Sequence, residues 1–301
     1  MRTTGTSLMD KRKRETHIAA AVFLAPIAIL LAIYIFYPII DTFITSFYRW
    51  NGITVDKTPI GFGNWQTLIR DTTFWKAFGN NLTIMVLSIC IQIPIGLALA
   101  TFIDFGGKKM TIFKVLWFIP LLMSSVAIGF LFTYALATNG GIISTISQFL
   151  GGGNIDLLGN PKLALYTVIG VIAWQFTPFY MVYCMAAYTN ISTEIYEAAI
   201  IDGANRGQYF SRIALPLLAP SLKSAAILSM VGSLKYFDLI YVMTGGGPGT
   251  ATELMGTYMY KESFKNFNMG YGAAIAGGMF ILITLVSLLT MRLLNGKKEV
   301  D

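Results

Sequence analysis

Long runs of apolar residues alternate with short polar segments along this chain. A run of about 20 apolar residues is long enough to cross the hydrocarbon core of a bilayer as an α-helix. The pattern predicts six such helices, at about residues 18–40, 81–103, 113–136, 163–187, 221–243 and 271–294. The predicted fold class is therefore all-α, a polytopic membrane protein with six transmembrane helices and both termini on one side.

The first apolar run, Ile18 to Ile40, follows the basic cluster Lys11-Arg12-Lys13-Arg14 and could be mistaken for a secretory signal. It is long enough to span a bilayer and lacks a small-residue cleavage site, so we interpret it as a retained first helix. The chain then divides into an N-terminal tail at 1–17, a membrane domain at 18–294 and a C-terminal tail at 295–301.

Composition and charge support this division. The 301 residues are 55% hydrophobic and 12% charged, which is too apolar for an ordinary soluble domain. The net charge of +7 could suggest nucleic acid, but the basic residues lie in loops between apolar runs, so no nucleic-acid partner is expected. Fourteen Lys and Arg residues lie on the side of the termini and seven on the other, which predicts cytoplasmic termini.

A polar segment at 188–220 separates the fourth and fifth predicted spans. Ser192 and Thr193 offer capping hydroxyls for a short helix that ends near Ile201, and Gly203 lets the chain leave helical geometry. A second short helix, Arg206 to Ala214, is expected to follow until Pro216 interrupts it. Two interpretations are open from the residues alone: a pair of helices that stands out of the membrane, or an amphipathic loop on the lipid surface.

The same segment resembles the EAA loop in permease subunits of binding-protein-dependent ABC importers. The resemblance implies that the chain lies in a bacterial-type plasma membrane. The signature positions are all filled, by Glu197, Ala198, Ala199, Asp202, Gly203, Ala204, Phe210, Ile213, Leu215, Pro216 and Pro220. The resemblance implies that the loop couples to a cytoplasmic ATPase. Ala198 and Ala199 would permit close approach and Gly203 the bend, while Glu197, Asp202 and Arg206 would supply charged contacts; Ala204 completes the motif.

Two further stretches are similar to the carbohydrate-uptake branch of this family, and to the half related to the larger maltose permease. They are Asp238-Leu239-Ile240-Tyr241 with the glycine-rich turn at 244–249, and Gly270-Tyr271-Gly272-Ala273-Ala274. The resemblance covers about residues 10–296. It implies a second homologous permease, two ABC ATPases that bind ATP and magnesium, an external sugar-binding protein and a sugar substrate. The maltose protein's inserted outer domain is missing, so the binding protein must dock on other loops.

Polar side chains inside a membrane span are costly, which makes them candidates for a pathway. In the fifth predicted span Ser229, Ser233 and Tyr236 share one helix face, with Gly232 beside them. Helix packing through small residues is the alternative explanation. The resemblance favours sugar contact and adds four positions, Leu121, Ser125, Gln175 and Phe179. The asparagines of the maltose-type half are replaced here by Ser233 and Tyr236, so the same sugar need not bind.

Two charged residues, Lys235 and Asp238, lie three positions apart within the fifth predicted span, on a different face from the hydroxyl groups. They could form a translocation relay, but pairing with each other or with neighbouring helices is favoured because an unpaired charge there is expensive. Three prolines, Pro94, Pro120 and Pro178, are expected to break or kink their spans.

The sequence therefore predicts a sugar-importer permease subunit with no ATP site, cofactor, metal site or enzymatic activity of its own. The two cysteines, Cys90 and Cys184, lack metal-type spacing and are interpreted as packing residues. The rival functions are a secondary transporter or channel, disfavoured by the few intramembrane carboxylates, and a membrane-embedded enzyme, disfavoured because no catalytic cluster is visible.

Overall fold

The structure is a computed structural model that describes residues 4–295, with side chains described for 15–107, 110 and 112–293. Residues 1–3 of the predicted N-terminal tail lie outside the described residues. The predicted C-terminal tail also lies outside them, apart from the backbone of Asn295.

Helices make up most of the described chain. They are α1 (Thr4–Leu31), α2 (Tyr37–Thr45), α3 (Gly63–Arg70), α4 (Thr72–Gly106), α5 (Thr111–Leu122), α6 (Ser125–Ala135), α7 (Ile142–Phe149), α8 (Ala164–Tyr188), α9 (Thr193–Ile201), α10 (Arg206–Tyr209), α11 (Leu215–Leu234), α12 (Asp238–Met243), α13 (Met255–Tyr260) and α14 (Met269–Asn295). Wider π-helical segments occur at Ala32–Phe36, Phe210–Ala214 and Lys261–Lys265, and a 3₁₀ turn at Gly107–Met110. An antiparallel hairpin, β1 (Tyr48–Arg49) with β2 (Thr58–Pro59), was not expected from the sequence.

The predicted membrane spans are present, and five of them are helical segments long enough to cross a membrane: Glu15–Thr45, Thr72–Gly106, Ala164–Tyr188, Arg206–Met243 and Met269–Leu293. Within Arg206–Met243 the helix is interrupted at 235–237, between α11 and α12. The third predicted span is not one helix: α5 and α6 meet at an angle of 94°. Pro120 lies in the last turn of α5, and Met123 and Ser124 then adopt extended backbone angles that no helix allows. The described chain thus has six spans if this bent pair counts as one.

Proline has a different effect in the other spans. Pro94 and Pro178 lie inside the unbroken helices α4 and α8, so neither breaks its span. Pro38 and Pro216 each lie two residues after the end of a π-helical segment. A proline ring clashes with the carbonyl four residues earlier, and a wider turn at that place relieves the clash without ending the helix.

The centre of the bundle is the close packing of α4 against α8, with α11 beside both. A Cβ atom at Gly96 would lie 2.8–2.9 Å from Cβ and C of Tyr180 and from the backbone nitrogen of Met181. Only a residue without a side chain therefore allows the two backbones to approach this closely. Apolar side chains of α4, α8 and α12 fill the core on one side of this contact, among them Ile84, Val168 and Leu239.

Polar contacts hold the segments at the opposite end from the 188–220 loop. Asn81 of α4 donates to the carbonyl of Leu234 (3.2 Å) and accepts from the backbone nitrogen of Met255 (3.0 Å). Asp71 caps the start of α4 and accepts hydrogen bonds from the hydroxyls of Tyr258 and Tyr271. Burial alone would raise the pKa of Asp71, but these hydrogen bonds outweigh it and lower the pKa below its usual value of 3.8.

The loops at this end contain short elements of secondary structure. Within 41–79 the chain forms the end of α2, the hairpin and α3; within 139–161 it forms α7. The glycine-rich segment at 244–249 is a turn, with positive φ angles at Gly245, Gly246 and Gly249. The backbone nitrogen of Gly270 donates to the carbonyl of Trp50 (3.0 Å), which fixes the hairpin to the start of α14.

We expect Gly96→Ala to lower the thermal stability of the purified protein, because the added methyl group forces α4 away from α8. The matched control is Gly170→Ala, which adds the same methyl group to α8 where no atom lies within 4 Å. The control should melt at the wild-type temperature or slightly above it. Equal melting temperatures for both variants would show that the α4–α8 contact does not need glycine.

Candidate functional site

The 188–220 segment folds as two helices joined by a tight turn. Helix α9 ends in a Schellman motif, in which the backbone nitrogen of Gly203 donates to the carbonyl of Ile200 (3.0 Å) and that of Ala204 to Ala199 (2.9 Å). Gly203 has a φ of +78°, and no atom lies within 4 Å of the place where its Cβ would be. Glycine is therefore required at position 203 by the backbone conformation and not by close packing.

The second helix begins with a capping box that the sequence analysis missed. Asn205 Oδ1 accepts from the backbone nitrogen of Gln208, and Gln208 Oε1 accepts from that of Asn205, both at 2.9 Å. The Asn-x-x-Gln spacing was the available signal. The guanidinium of Arg206 lies over the ring of Phe105 at the end of α4, 5.5 Å from its centroid. The turn between the helices is thus defined on both sides of Gly203.

One face of this loop is seated on the ends of α4 and α8. Tyr209 and Ala199 are buried there, and the ring of Tyr196 meets that of Tyr209 edge-on at 4.9 Å. Ala199 therefore allows close approach of the loop to its own membrane helices. This corrects the expectation that it faces a partner protein.

The opposite face of the loop is open. Glu197, Ala198, Asp202, Gly203 and Arg206 are exposed, and Ala204 is half-buried. Two aliphatic side chains accompany them, Ile200 and Ile201, the second of which is 85% exposed. An exposed surface that combines aliphatic side chains with both signs of charge suits a protein partner in water better than a lipid surface.

The second helix of the loop does not end at Pro216. Helix α10, the π-helical segment and α11 run on without interruption from Arg206 to Leu234. The expected break at Pro216 is therefore wrong, for the reason given above for prolines that follow a π-helical segment. One continuous helix joins the loop to the polar residues of the fifth span.

Those polar residues surround a cavity of about 220 Å³ between α4, α8 and α11. Its lining includes four of the predicted residues, Ser229, Gly232, Ser233 and Tyr236. Tyr236 follows the end of α11, so it reaches the cavity from a non-helical segment and not from the predicted helix face. No atom lies within 4 Å of the Cβ position at Gly232, which leaves the expected gap beside the hydroxyl groups.

Four further cavity residues were not predicted: Gln92, Ile172, Phe176 and Tyr180. Gln92 lies within the apolar run of α4 and is buried. A buried glutamine in a membrane span was the signal that could have identified it. The ring of Phe176 packs edge-on against Tyr236 at 5.9 Å, so an aromatic pair forms part of the wall.

The hydroxyl of Tyr236 is buried and has no hydrogen-bond partner among the described residues. Oγ of Ser229 is also buried, and its side-chain partner at the cavity is the hydroxyl of Tyr180. Buried polar atoms are normally satisfied, so the Tyr236 hydroxyl leaves one group on the cavity wall able to bond a polar ligand.

The other four predicted contact residues do not line this cavity. Gln175 is buried and donates from Nε2 to Oγ of Ser125 at 3.2 Å, which joins α8 to the start of α6. Phe179 lies one turn further along α8 and packs against Tyr180 and Tyr183. Leu121 is in the last turn of α5. The structure therefore divides the predicted site into two groups on neighbouring faces of α8.

Lys235 and Asp238 pair neither with each other nor with a neighbouring helix within the described part of the chain. Both side chains are exposed, and neither takes part in an ion pair in the described part of the chain. Lys235 lines a different cavity, between α11 and α14. No group of three or more His, Cys, Asp or Glu side chains that could hold a metal occurs among the described residues.

The bundle, the seated loop and the polar cavity define a multi-pass membrane transport subunit. The chain belongs to the family described as "Binding-protein-dependent transport system inner membrane component", whose pattern matches residues 92–300. The resemblance based on the Glu197 loop is thereby confirmed, and members of this family are permease subunits, a role without catalytic activity of their own.

Individual relatives extend over nearly the whole chain. The multiple sugar-binding transport system permease of Streptococcus mutans is 31% identical over 275 residues, 90% of this chain and 93% of that protein. The sulfoquinovosyl glycerol transport system permease of Agrobacterium fabrum is 31% identical over 93% of this chain and 91% of its own. A bacterial ABC transporter that imports the acidic polysaccharide alginate shares the fold, with a TM-score of 0.81, 23% identity and coverage of 97% and 100%.

Proposed function

We propose that this chain is one membrane subunit of an ATP-driven sugar importer and lines half of its translocation pathway. The observation that carries the proposal is the unbroken helix from the Arg206 end of the exposed loop to the polar cavity. The sugar specificities named for several relatives support the substrate class. A second permease, two ATPases that hold ATP and magnesium, and an external sugar-binding protein would complete the transporter.

The continuous helix supplies a mechanism for coupling. From Arg206 to Leu234 it spans 29 residues, or roughly 43 Å at 1.5 Å per residue. A rigid helix transmits a displacement of one end to the other, so movement of the loop on an ATPase would shift Ser229 and Ser233 relative to Gln92 on α4. Such a shift changes the shape of the cavity and would open it alternately to the two sides.

Glu197 and its exposed neighbours would form the docking surface for the ATPase, which requires the loop to lie in the cytoplasm. The fourteen-to-seven distribution of basic residues supports that orientation and cytoplasmic termini. The hairpin and the Gly246 turn would then face the exterior, where the binding protein delivers sugar.

Accessibility of single cysteines tests the orientation. With Cys90 and Cys184 replaced, we expect Val55→Cys to react with an impermeant thiol reagent in intact cells, because Val55 is 96% exposed in the hairpin loop. Ile201→Cys, at an exposed position of the other loop, should react only after the membrane is opened. Labelling of Ile201→Cys in intact cells would contradict the proposed topology.

Coupling is tested at the loop's open face. We expect Glu197→Lys to leave assembly with the ATPase measurable but to abolish most sugar-stimulated ATP hydrolysis and uptake, because it reverses a charge on the docking surface. Gly203→Val should have a similar effect, since a β-branched residue at a φ of +78° distorts the turn. Gly207→Ala, an ordinary contact inside α10, is the matched control; uptake at the control's level in both test variants would exclude the loop from coupling.

The cavity chemistry favours an uncharged sugar. Its lining offers neutral hydrogen-bonding groups on Gln92, Ser229, Ser233 and Tyr236, and aromatic surface on Phe176. Sugar hydroxyls match the first set, and the apolar faces of a sugar ring match the second. No basic side chain among the described residues lines this cavity, and Lys235, which follows α11, lines the other one.

Sugar contact makes a prediction that helix packing does not. Tyr236→Phe, Ser229→Ala and Gln92→Ala should each lower sugar uptake several-fold, the effect of losing one hydrogen bond of about 0.5–1.5 kcal/mol. Tyr236→Phe should not lower thermal stability, because this hydroxyl has no hydrogen-bond partner in the described chain. Tyr236→Ala should impair uptake more than Ser233→Ala because it also removes ring contact.

Ser224→Ala is the control, since Ser224 is an exposed serine on α11 that bonds its own backbone. Uptake is measured in proteoliposomes with saturating binding protein. Wild-type uptake and selectivity in all the cavity variants would mean that the cavity is a packing defect and that sugar binds elsewhere.

A further inference from the structure

Helix α11 ends inside the protein, beside the polar cavity. Its last residue is Leu234, and the chain is non-helical at 235–237 before α12 begins. Tyr236, whose unpartnered hydroxyl reaches the cavity, lies in this interruption. Its backbone nitrogen reaches the carbonyl of Ser233 at 3.3 Å, which is long for a hydrogen bond, and it has no ladder of helical hydrogen bonds around it. Contacts with other segments must therefore set the place of the Tyr236 side chain.

Asn81 of α4 supplies the contact at the end of α11. Its side chain is 0% exposed, and Nδ2 donates to the carbonyl of Leu234 at 3.2 Å. Oδ1 accepts at 3.0 Å from the backbone nitrogen of Met255, the first residue of α13. The last carbonyls and the first nitrogens of a helix lack partners within that helix, so Asn81 satisfies one group of each kind. One side chain thus joins three helices.

Helix α13 in turn packs against the interruption after α11. A Cβ atom at Gly256 would lie 3.6 Å from the ring of Phe237 and 3.8 Å from the carbonyl oxygen of Tyr236. The interruption is therefore held at its start through α11 and on one side through α13, and Asn81 is bonded to both helices. Asn81 itself is not among the described residues that line the cavity.

We propose that Asn81 is a positioning residue for the sugar site. It holds the interruption after α11 so that the Tyr236 hydroxyl stays on the cavity wall, where it bonds a sugar. Asn81 does this through the backbone of the interruption and does not touch the sugar. The inference rests on the proposed function, because it requires that sugar occupies the cavity.

The neighbouring Asn80 provides a matched control, since it is the same residue type at the adjacent position of α4. Its Nδ2 donates to the carbonyls of Ala251 (3.1 Å) and Glu253 (2.8 Å), so it holds the loop before α13. Asn80→Ala removes these two hydrogen bonds and leaves both bonds of Asn81 in place. Asn80→Ala and Asn81→Ala should therefore both lower stability, but only the second should displace Tyr236.

A double-mutant cycle in proteoliposomes tests the positioning role. The complete transporter, with saturating binding protein, is given a panel of labelled neutral mono- and disaccharides, and the sugar that the wild type takes up fastest is the probe. Asn81→Ala alone should lower uptake as much as Tyr236→Phe does. Tyr236→Phe should lower uptake several-fold in the wild-type and Asn80→Ala backgrounds but less than about twofold in the Asn81→Ala background, because a displaced hydroxyl has no bond to lose. Rates are divided by the amount of assembled transporter, so a folding defect alone does not change the comparison.

Asn81→Asp serves where the alanine variant fails to assemble. It keeps the size of the side chain and the oxygen that accepts from Met255, but an ionised carboxylate cannot donate to the Leu234 carbonyl. It should also remove the effect of Tyr236→Phe. A several-fold effect of Tyr236→Phe that persists in an assembled Asn81 variant overturns the inference and leaves Asn81 with a structural role only. If the wild type takes up none of the sugars, or Tyr236→Phe has no effect in the wild type, the proposed sugar site itself fails, and the inference fails with it.

Discussion

The close approach of α4 and α8 at Gly96 is the contact on which the rest of this structure depends. Because no side chain separates the two backbones there, the pair forms a rigid frame with two useful ends. Towards one end the frame seats the loop through Ala199 and Tyr209; towards the other it leaves space against α11 for the polar cavity. Both candidate functional surfaces are therefore positioned by the same helix pair.

If α4 and α8 are rigid, a movement that links the loop to the cavity has to be carried by α11, the helix that connects them. Helix α11 reaches the cavity at Ser229 and Ser233 and extends, through the π-helical segment, back to the loop. Pro216 follows a wider, π-helical turn and does not interrupt the helix. The helix is therefore continuous there, and a movement of the loop can be transmitted to the cavity, which a flexible hinge at Pro216 would prevent. The real break lies at the far end, after Leu234, where Asn81 of α4 binds the last carbonyl of the helix.

The two cavities beside α11 differ in their chemistry. The cavity towards α4 and α8 has neutral hydroxyl and amide groups, and the Tyr236 hydroxyl among them has no hydrogen-bond partner in the described chain, which suits a polar uncharged ligand. The cavity towards α14 has apolar walls and one ammonium group, that of Lys235.

The sequence by itself determined the class of the protein, the number of spans and the position of the loop. These depend on local properties: the length of apolar runs, the positive φ that Gly203 supplies, and the motif around Glu197. It also determined that Ser229, Gly232 and Ser233 belong together, because neighbouring helix positions share a face, whereas Tyr236 joins them from the non-helical segment after α11. Only the tertiary structure decided which other residues join them, since the packing of α4 against α8 brings Gln92 in and turns Gln175 towards Ser125. The separate places of Lys235 and Asp238, the burial of Ala199 and the sharp bend after Pro120 were likewise decided by contacts between distant segments, which no local pattern encodes.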